Sequence, residues 1–338
     1  SITYLKNFLP ALNNIDQENE YIILFSSGQK NLNFSTFPNL QIINFPFSKA
    51  QHIQRMVWEQ IFLPIWLVKS EIDVLYAPMD VAPILSPCKV ILAVRNPNPY
   101  YKVTNRQSMR FVLLKKLSQL SAYKAEKVIF VSSQSRETII PQLGVPVEKT
   151  VVVYHGLDHA RFDPVGICSA TPILRNLIAK SGSYVLCVST INPHKNYETL
   201  LKGWAKLKNN LRNRYKLIIV GRKALPEYFD YLEGLVFKLG IESEVVFLGE
   251  VAYHNMPYLY TRASAFVFPS LLETFGHPLV EAMAMGVPIV ASQSTCIPEI
   301  VDGAALLFEP RNPVGLASKL EKILTDLDLQ RLLVEKGK

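Results

Sequence analysis

Two carboxylates and a glycine-proline turn stand close together late in the chain. Residues Glu273 to Gly286 read Glu-Thr-Phe-Gly-His-Pro-Leu-Val-Glu-Ala-Met-Ala-Met-Gly, preceded by the apolar run Ala265-Phe266-Val267-Phe268-Pro269. A turn with Gly276 and Pro278 followed by an alanine-rich stretch predicts a helix that begins near His277 or Pro278. The first amides of such a helix have no internal partner and carry the positive end of its dipole, so a phosphate placed there is stabilised. Gly276, which lacks a Cβ, lets a ligand approach the backbone. Glu281 is surrounded in sequence by Leu279, Val280, Ala282, Met283, Ala284 and Met285, and a carboxylate in that company requires hydrogen-bond donors. Sugar and ribose hydroxyls are donors of this kind. Glu273 lies eight positions earlier, so the two acids can flank whatever the helix start holds. The plainer alternative is one acid on a loop and one on a helix surface.

The elements that must position these groups alternate short apolar strands with helical patterns, the mark of a parallel sheet wrapped by helices. After an amphipathic opening helix with Tyr4, Leu5, Phe8, Leu9 and Leu12 on one face, strands are predicted at 21–25, 40–45, 73–76, 89–94, 127–131 and 150–154. The stretch from Phe162 to Ser183 mixes Pro, Gly and Ser and marks a hinge. A second alternation follows, with strands at 184–188, 216–220, 244–248, 265–268, 287–290 and 305–308. Asn192-Pro-His-Lys-Asn196 joins the first of these to a helix, with Asn196 at its N-cap. Lys195 therefore sits at a strand-to-helix mouth, suited to neutralise a pyrophosphate as a point charge, although a lysine before a helix is also an ordinary surface residue. The loop Arg95-Asn-Pro-Asn-Pro-Tyr-Tyr101 leaves a strand at its carboxyl end, where open parallel sheets bind ligands. Asn96 either hydrogen-bonds a sugar hydroxyl or is part of a plain structural loop. Ser132, Ser133 and Ser135 read as a helix cap.

Glu-x7-Glu, the Phe275-Gly276 loop and Glu-Ala-Met-Ala-x-Gly-x-Pro-x-Val-Ala-Ser together resemble the donor-site signature of retaining glycosyltransferases of family 4. Val152-Val-Tyr-His-Gly-Leu-Asp158, Gly221, Gly249-Glu250-Val251 and Pro298-Glu299-Ile300 ahead of Asp302-Gly303 also match that pattern. The resemblance is strongest from Tyr184 to Pro310. It implies the α/β GT-B architecture of two Rossmann-like parallel-sheet domains facing across a cleft, with an acceptor domain at 1–165 and a nucleotide-sugar domain at 166–338. The activity implied is transfer of a hexosyl unit from a GDP-mannose or UDP-hexose type donor to a saccharide or lipid-linked acceptor, without metal or resident cofactor. By resemblance Lys195 and Glu273 are the catalytic pair. Glu281 holds the ribose, and Glu273 with Phe275 and Gly276 the donor sugar. His277, Pro278 and Leu279 supply the helix start for the β-phosphate. Gly249, Glu250 and Val251 hold the nucleobase, and Gly221 with Arg222 completes the donor side. The family's Arg five residues before the Lys is Thr190 here, so that cation is absent or replaced by His194. A His-Asp pair of many members is replaced by Arg95-Asn96, which become acceptor-side candidates. The resemblance further implies a strand and glycine loop of about 15 to 20 residues ahead of Ser1, and a helix beyond Lys338. Rival readings are a non-hydrolysing sugar-nucleotide epimerase, which shares the architecture, and an inactive nucleotide-sugar-binding module. A dehydrogenase is disfavoured because no Gly-x-Gly-x-x-Gly follows residues 184–188.

Composition agrees with an ordinary globular enzyme. The 338 residues favour two domains, 49% are hydrophobic, and the 15 Gly and 22 Pro are scattered. Cys88, Cys168, Cys187 and Cys296 form no Cys-x-x-Cys pair, so neither a zinc site nor a disulfide framework is indicated, and a reducing cytoplasm fits. Asp326-Leu-Asp328 reads as a solvated helix face rather than a metal motif. No apolar run reaches the roughly 18 residues of a membrane span, and Met56 to Val68 carries Glu59. The +8 net charge is concentrated between Arg95 and Lys127, where eight bases face one acid. A helix predicted over 106–127 would present part of this basic 102–127 segment, with Met109, Val112, Leu113, Leu117, Leu120 and Ala122 among the bases. It either attracts the anionic cytoplasmic face of a membrane or is a solvated, core-packed helix. Nothing in the pattern calls for nucleic acid.

Overall fold

The structure, a computed structural model, describes residues 2–26, 38–45, 52–101, 109–165 and 170–338. Lys102, Arg106 and Cys168 lie outside these residues. The first half runs α1 (Ile2–Ile15), β1 (Tyr21–Ser26), β2 (Leu40–Phe45), α2 (His52–Lys69), β3 (Val74–Ala77), β4 (Lys89–Val94), α3 (Met109–Lys124), β5 (Lys127–Phe130), α4 (Ser133–Leu143) and β6 (Thr150–Val152). Its strands form two parallel sheets, β1-β2 and β3-β4-β5-β6.

The second half runs α5 (Pro172–Ser181), β7 (Ser183–Val188), α6 (Tyr197–Trp204), α7 (Asn209–Arg214), β8 (Tyr215–Val220), α8 (Pro226–Leu239), β9 (Val245–Gly249), α9 (Met256–Arg262), β10 (Ala265–Phe268), α10 (His277–Ala284), β11 (Ile289–Ser292), α11 (Ile297–Val301), β12 (Ala305–Phe308), α12 (Pro313–Thr325) and α13 (Leu327–Gly337). All six strands are parallel, in the order β12-β11-β10-β7-β8-β9. Each of the four residues of β10 is buried, and alternate residues of β7 enter different cores: Val185 and Cys187 on one side, Tyr184 and Leu186 on the other. A strand covered on both faces by helices reads as a continuous apolar run, which is how β7 and β10 read in the sequence. Order reverses between β7 and β10, the switch point at which doubly wound sheets leave a crevice beyond their carboxyl ends. The fold is therefore the expected α/β architecture with parallel sheets in both halves, the strands of the first half being divided between two sheets.

Several boundaries differ from expectation. β11 starts two residues later than predicted, because Val287 N–H closes the end of α10 on Ala282 and Pro288 has no N–H for the ladder, offering only its carbonyl to Phe266. The helix expected over 106–127 ends at Lys124, since Lys127 already opens β5. Its apolar residues do not all face inward: Ser118, Ser121 and Ala122 are buried, whereas Val112, Leu113 and Leu120 stand about half exposed. Asp326 is not on a helix face but caps α13, accepting from Leu329 N–H at 2.9 Å. Cys187 and Cys296 are fully buried. No helix among the described residues is long and apolar enough to cross a membrane.

Candidate functional site

The switch point brings two loops together, 189–196 after β7 and 269–276 after β10. Leu271 N–H donates to the His194 carbonyl at 2.8 Å, and the Asn196 carboxamide donates to the Pro269 carbonyl at 3.1 Å. Asn196 thus occupies the N-cap position of α6 without capping it by its side chain, which is spent on tying the loops. That tie brings Lys195 Nζ to 2.5 Å from Glu273 Oε1, with the two side chains only 15% and 13% exposed. The two residues singled out for separate roles, 78 positions apart, are in direct contact, and each neutralises the other.

α10 starts at His277 as predicted, after Gly276 at φ +89, a left-handed conformation that glycine adopts without strain. Its amino end is less open than a bare helix start. Pro278 has no N–H, and Leu279 gives its amide to the Gly276 carbonyl at 2.9 Å and its side chain to the core. Among the described residues the His277 amide is left without a partner.

Glu281 is 5% exposed. Its donors are not left to a ligand: Tyr253 Oη donates to Oε1 at 3.0 Å and Tyr260 Oη to Oε2 at 2.8 Å. Burial pushes its carboxyl up to about 7, and the two tyrosine hydroxyls only partly oppose this. Each oxygen retains a lone pair, so a ribose hydroxyl remains an admissible third donor. Tyr253 in turn lies under Arg161, whose guanidinium carbon is 5.0 Å from the ring centroid.

Beyond β8 and β9, Gly221 N–H donates to the Gly249 carbonyl at 2.8 Å, and Ile191 N–H to the Arg222 carbonyl at 2.9 Å. Gly221, Gly249 and Val251 therefore rim the same end of the sheet, with the Arg222, Glu250 and Thr190 side chains exposed beside them. His194 lies beside Lys195 in the turn that leads into α6. Burial and then the charge of Lys195 press its pKa down to about 4, so the imidazole is neutral at pH 7.

The carboxyl ends of the first-half strands face this crevice. Asp80, 3% exposed, accepts the backbone amides of Arg95 at 2.9 Å and Asn96 at 3.1 Å and so fixes the loop after β4. Asn96 turns its carboxamide oxygen onto Asn98, which uses it within the loop. Residues that sequence reasoning left unassigned complete the cleft. His155 stacks on His277 with centroids 4.6 Å apart and packs edge-on to Phe275 at 5.0 Å. Thr274 Oγ1 donates to the Arg95 carbonyl at 3.0 Å, and Ser132 Oγ donates to the Thr274 carbonyl at 2.8 Å. Glu299 receives Ser133 N–H at 2.7 Å, Gln134 N–H at 2.8 Å and Tyr154 Oη at 2.7 Å, so one carboxylate of the second half caps the first-half helix α4. Its place in a Pro-Glu-Ile string and the Ser-Ser cap at 132–133 were the available signals; their meeting was not readable. Among the described residues no three His, Cys, Asp or Glu side chains gather as a metal cradle.

Comparison with known proteins bears on the family and the fold. The family model described as Glycosyltransferase Family 4 matches residues 3–161, and the one described as Glycosyl transferases group 1 matches residues 174–338. The O-antigen chain mannosyltransferase B of Escherichia coli is 31% identical over 213 residues, covering 63% of this chain and 55% of that protein. The chain spans a little over half the length of the first curated relatives it matches. Among solved structures, a sucrose-phosphate synthase of Thermosynechococcus elongatus superposes with a TM-score of 0.78 at 19% identity over 99% of this chain and 86% of that one. An Anabaena protein solved with UDP-glucose gives 0.72 at 18% identity over 95% and 93%.

Proposed function

Because the chain belongs to glycosyltransferase family 4, with a GT-B fold whose two halves each match a model of that family, we propose that it moves a hexosyl unit from a nucleotide-diphosphate sugar to a saccharide or lipid-linked acceptor, with retention of anomeric configuration. The observation that carries this reading is the convergence of Lys195, Glu273 and the unpartnered His277 amide at the switch point between β7 and β10. The mannosyltransferase named among the relatives supports a hexose donor of GDP-mannose type, and the Anabaena complex keeps a UDP-hexose in play.

In this reading residues 166–338 bind the donor and residues 1–165 the acceptor. The bond between the sugar C1 and the β-phosphate oxygen breaks, and the electron pair stays on the diphosphate. The positive end of α10, with the His277 amide at its tip, and the Lys195 ammonium stabilise that developing charge by fixed electrostatics. Glu281 accepts from the ribose beside its two tyrosines, while Glu273 and the Phe275-Gly276 backbone hold the sugar. No residue is assigned as general base, and no step requires a metal. The exposed apolar residues Val57, Ile61, Ile65 and Val68 of α2 and Val112, Leu113 and Leu120 of α3, beside Lys116 and Lys124, support docking of the acceptor half on anionic lipid headgroups.

The test is incubation with GDP-mannose or UDP-glucose, together with undecaprenyl-linked or free saccharide acceptors. Acceptor-dependent release of nucleoside diphosphate is expected. Interconversion of the sugar nucleotide without release would replace the transferase by an epimerase, and saturable binding with neither outcome would leave a binding module.

A further inference from the structure

The charges in the cleft do not balance as the lysine alone would suggest. Lys195 is matched by Glu273, and His155, His194 and His277 are neutral at pH 7, because burial, and then neighbouring cations, hold their pKa values at about 3, 4 and 4. Arg95 is different. Its guanidinium is largely buried, yet no carboxylate pairs with it among the described residues; the nearby acid, Asp80, accepts the Arg95 backbone amide instead. Nη2 donates to His155 Nε2 at 2.9 Å, and the guanidinium carbon lies 4.0 Å from the Tyr4 ring centroid. Nη1 is buried with no partner. Asp80 acts on the guanidinium only through space; a guanidinium cannot shed its proton, so a buried one with no direct ion pair and an unpartnered Nη1 is costly unless a ligand supplies the anion.

Its position says which anion. The Arg95 carbonyl takes the Thr274 hydroxyl, in the loop just before α10, and the His155 ring that accepts from Arg95 is the ring stacked on His277. The guanidinium is therefore one imidazole away from the amino end of α10, brought there by the other half of the chain. We infer that Arg95 is the counter-charge for the donor's diphosphate, supplied across the cleft by the acceptor-side half. This rests on the glycosyltransferase reading above and adds that the donor site is incomplete without the first half. The planar fork of an arginine suits two phosphate oxygens, and a nucleoside monophosphate, which lacks the distal phosphate, does not engage it.

Isothermal titration of the full chain with GDP, GMP, UDP and UMP tests this, with Arg95→Gln, Arg95→Lys and Glu281→Ala as variants. Arg95→Gln should weaken the preferred diphosphate about tenfold to a hundredfold and change the monophosphate by less than about twofold. Arg95→Lys should fall between wild type and Arg95→Gln, because it keeps the charge and loses the fork. The melting temperature of ligand-free Arg95→Gln should hold or rise, while its diphosphate-induced shift shrinks. Equal effects on diphosphate and monophosphate, no effect on either, or a lower melting temperature with undiminished ligand shifts would each overturn the inference. If Glu281→Ala weakens both kinds of nucleotide and Arg95→Gln neither, only the role of Arg95 falls. If wild type binds none of the four, the glycosyltransferase reading falls with it.

Discussion

Replacing Glu281 by Gln tests the site without knowledge of any substrate. The carboxyl is 5% exposed, and burial lifts its pKa from 4.5 to about 7, against the lowering effect of the Tyr260 and Tyr253 hydroxyls. A carboxyl raised in this way binds its proton more tightly in the folded protein than in the unfolded chain. Its favourable contribution is complete below about pH 4.5 and is lost as the pH rises through about 7. At about 1.36 kcal/mol per pH unit the gap amounts to roughly 3 kcal/mol. Gln keeps the shape and a carbonyl acceptor but does not titrate. The stability of wild type relative to Glu281→Gln should therefore fall by roughly 3 kcal/mol between pH 4.5 and pH 8. His155, His194 and His277, held low by burial, act in the opposite sense, losing stability as pH falls, but they are common to both proteins and cancel in the difference. Urea unfolding followed by circular dichroism at pH 5, 6, 7 and 8 measures it. A difference independent of pH would refute the argument that burial controls this carboxylate.

Three further outcomes follow from the same geometry. Glu299→Gln puts an amide NH2 either against the Gln134 N–H or against the Ser133 N–H and the Tyr154 hydroxyl, and should loosen the two halves by about 1–3 kcal/mol. It should appear as a larger radius of gyration in solution scattering and a raised donor KM with little change in kcat. Lys195→Ala removes a charge beside the departing diphosphate and strands Glu273, which is only 13% exposed, so turnover should drop roughly a hundred- to a thousandfold and the melting temperature should also fall; normal turnover removes Lys195 from the site. Gly221→Ala would put a Cβ 1.8 Å from the Ser189 carbonyl oxygen, which should destabilise the second half by more than about 3 kcal/mol in urea unfolding, and a neutral result would mean the 189–191 loop is free to move.

What the sequence disclosed was local. The strand, turn and helix from Ala265 to Ala284 are written in adjacent residues, so the start of α10 at His277 and the buried character of β10 were legible. The contact of Lys195 with Glu273 was not, because nothing in adjacent residues says that β7 and β10 lie side by side; only the two residues themselves were singled out. The partners of Glu281 were not legible: Tyr253 and Tyr260 lie 28 and 21 residues away and reach it only because α9 and the turn before it pack on the same side of the sheet. The contacts of His155 and Glu299 were obscured for a similar reason, since they meet residues of the opposite half and no periodicity encodes a meeting across a cleft; Arg95 was legible as a candidate, but not its contacts with Tyr4 and His155, which lie 91 and 60 residues away. The late start of β11 reflects a single missing N–H at Pro288, which apolar character cannot reveal.

The central claim is that the amino end of α10 receives a diphosphate. Diffraction from crystals of the protein grown with GDP or UDP tests it most directly. The account predicts diphosphate density at the His277 amide between Arg95 and Lys195, with the ribose against Glu281. A nucleotide bound elsewhere, or His277 still stacked on His155 with that amide facing only protein at saturating nucleotide, would contradict it.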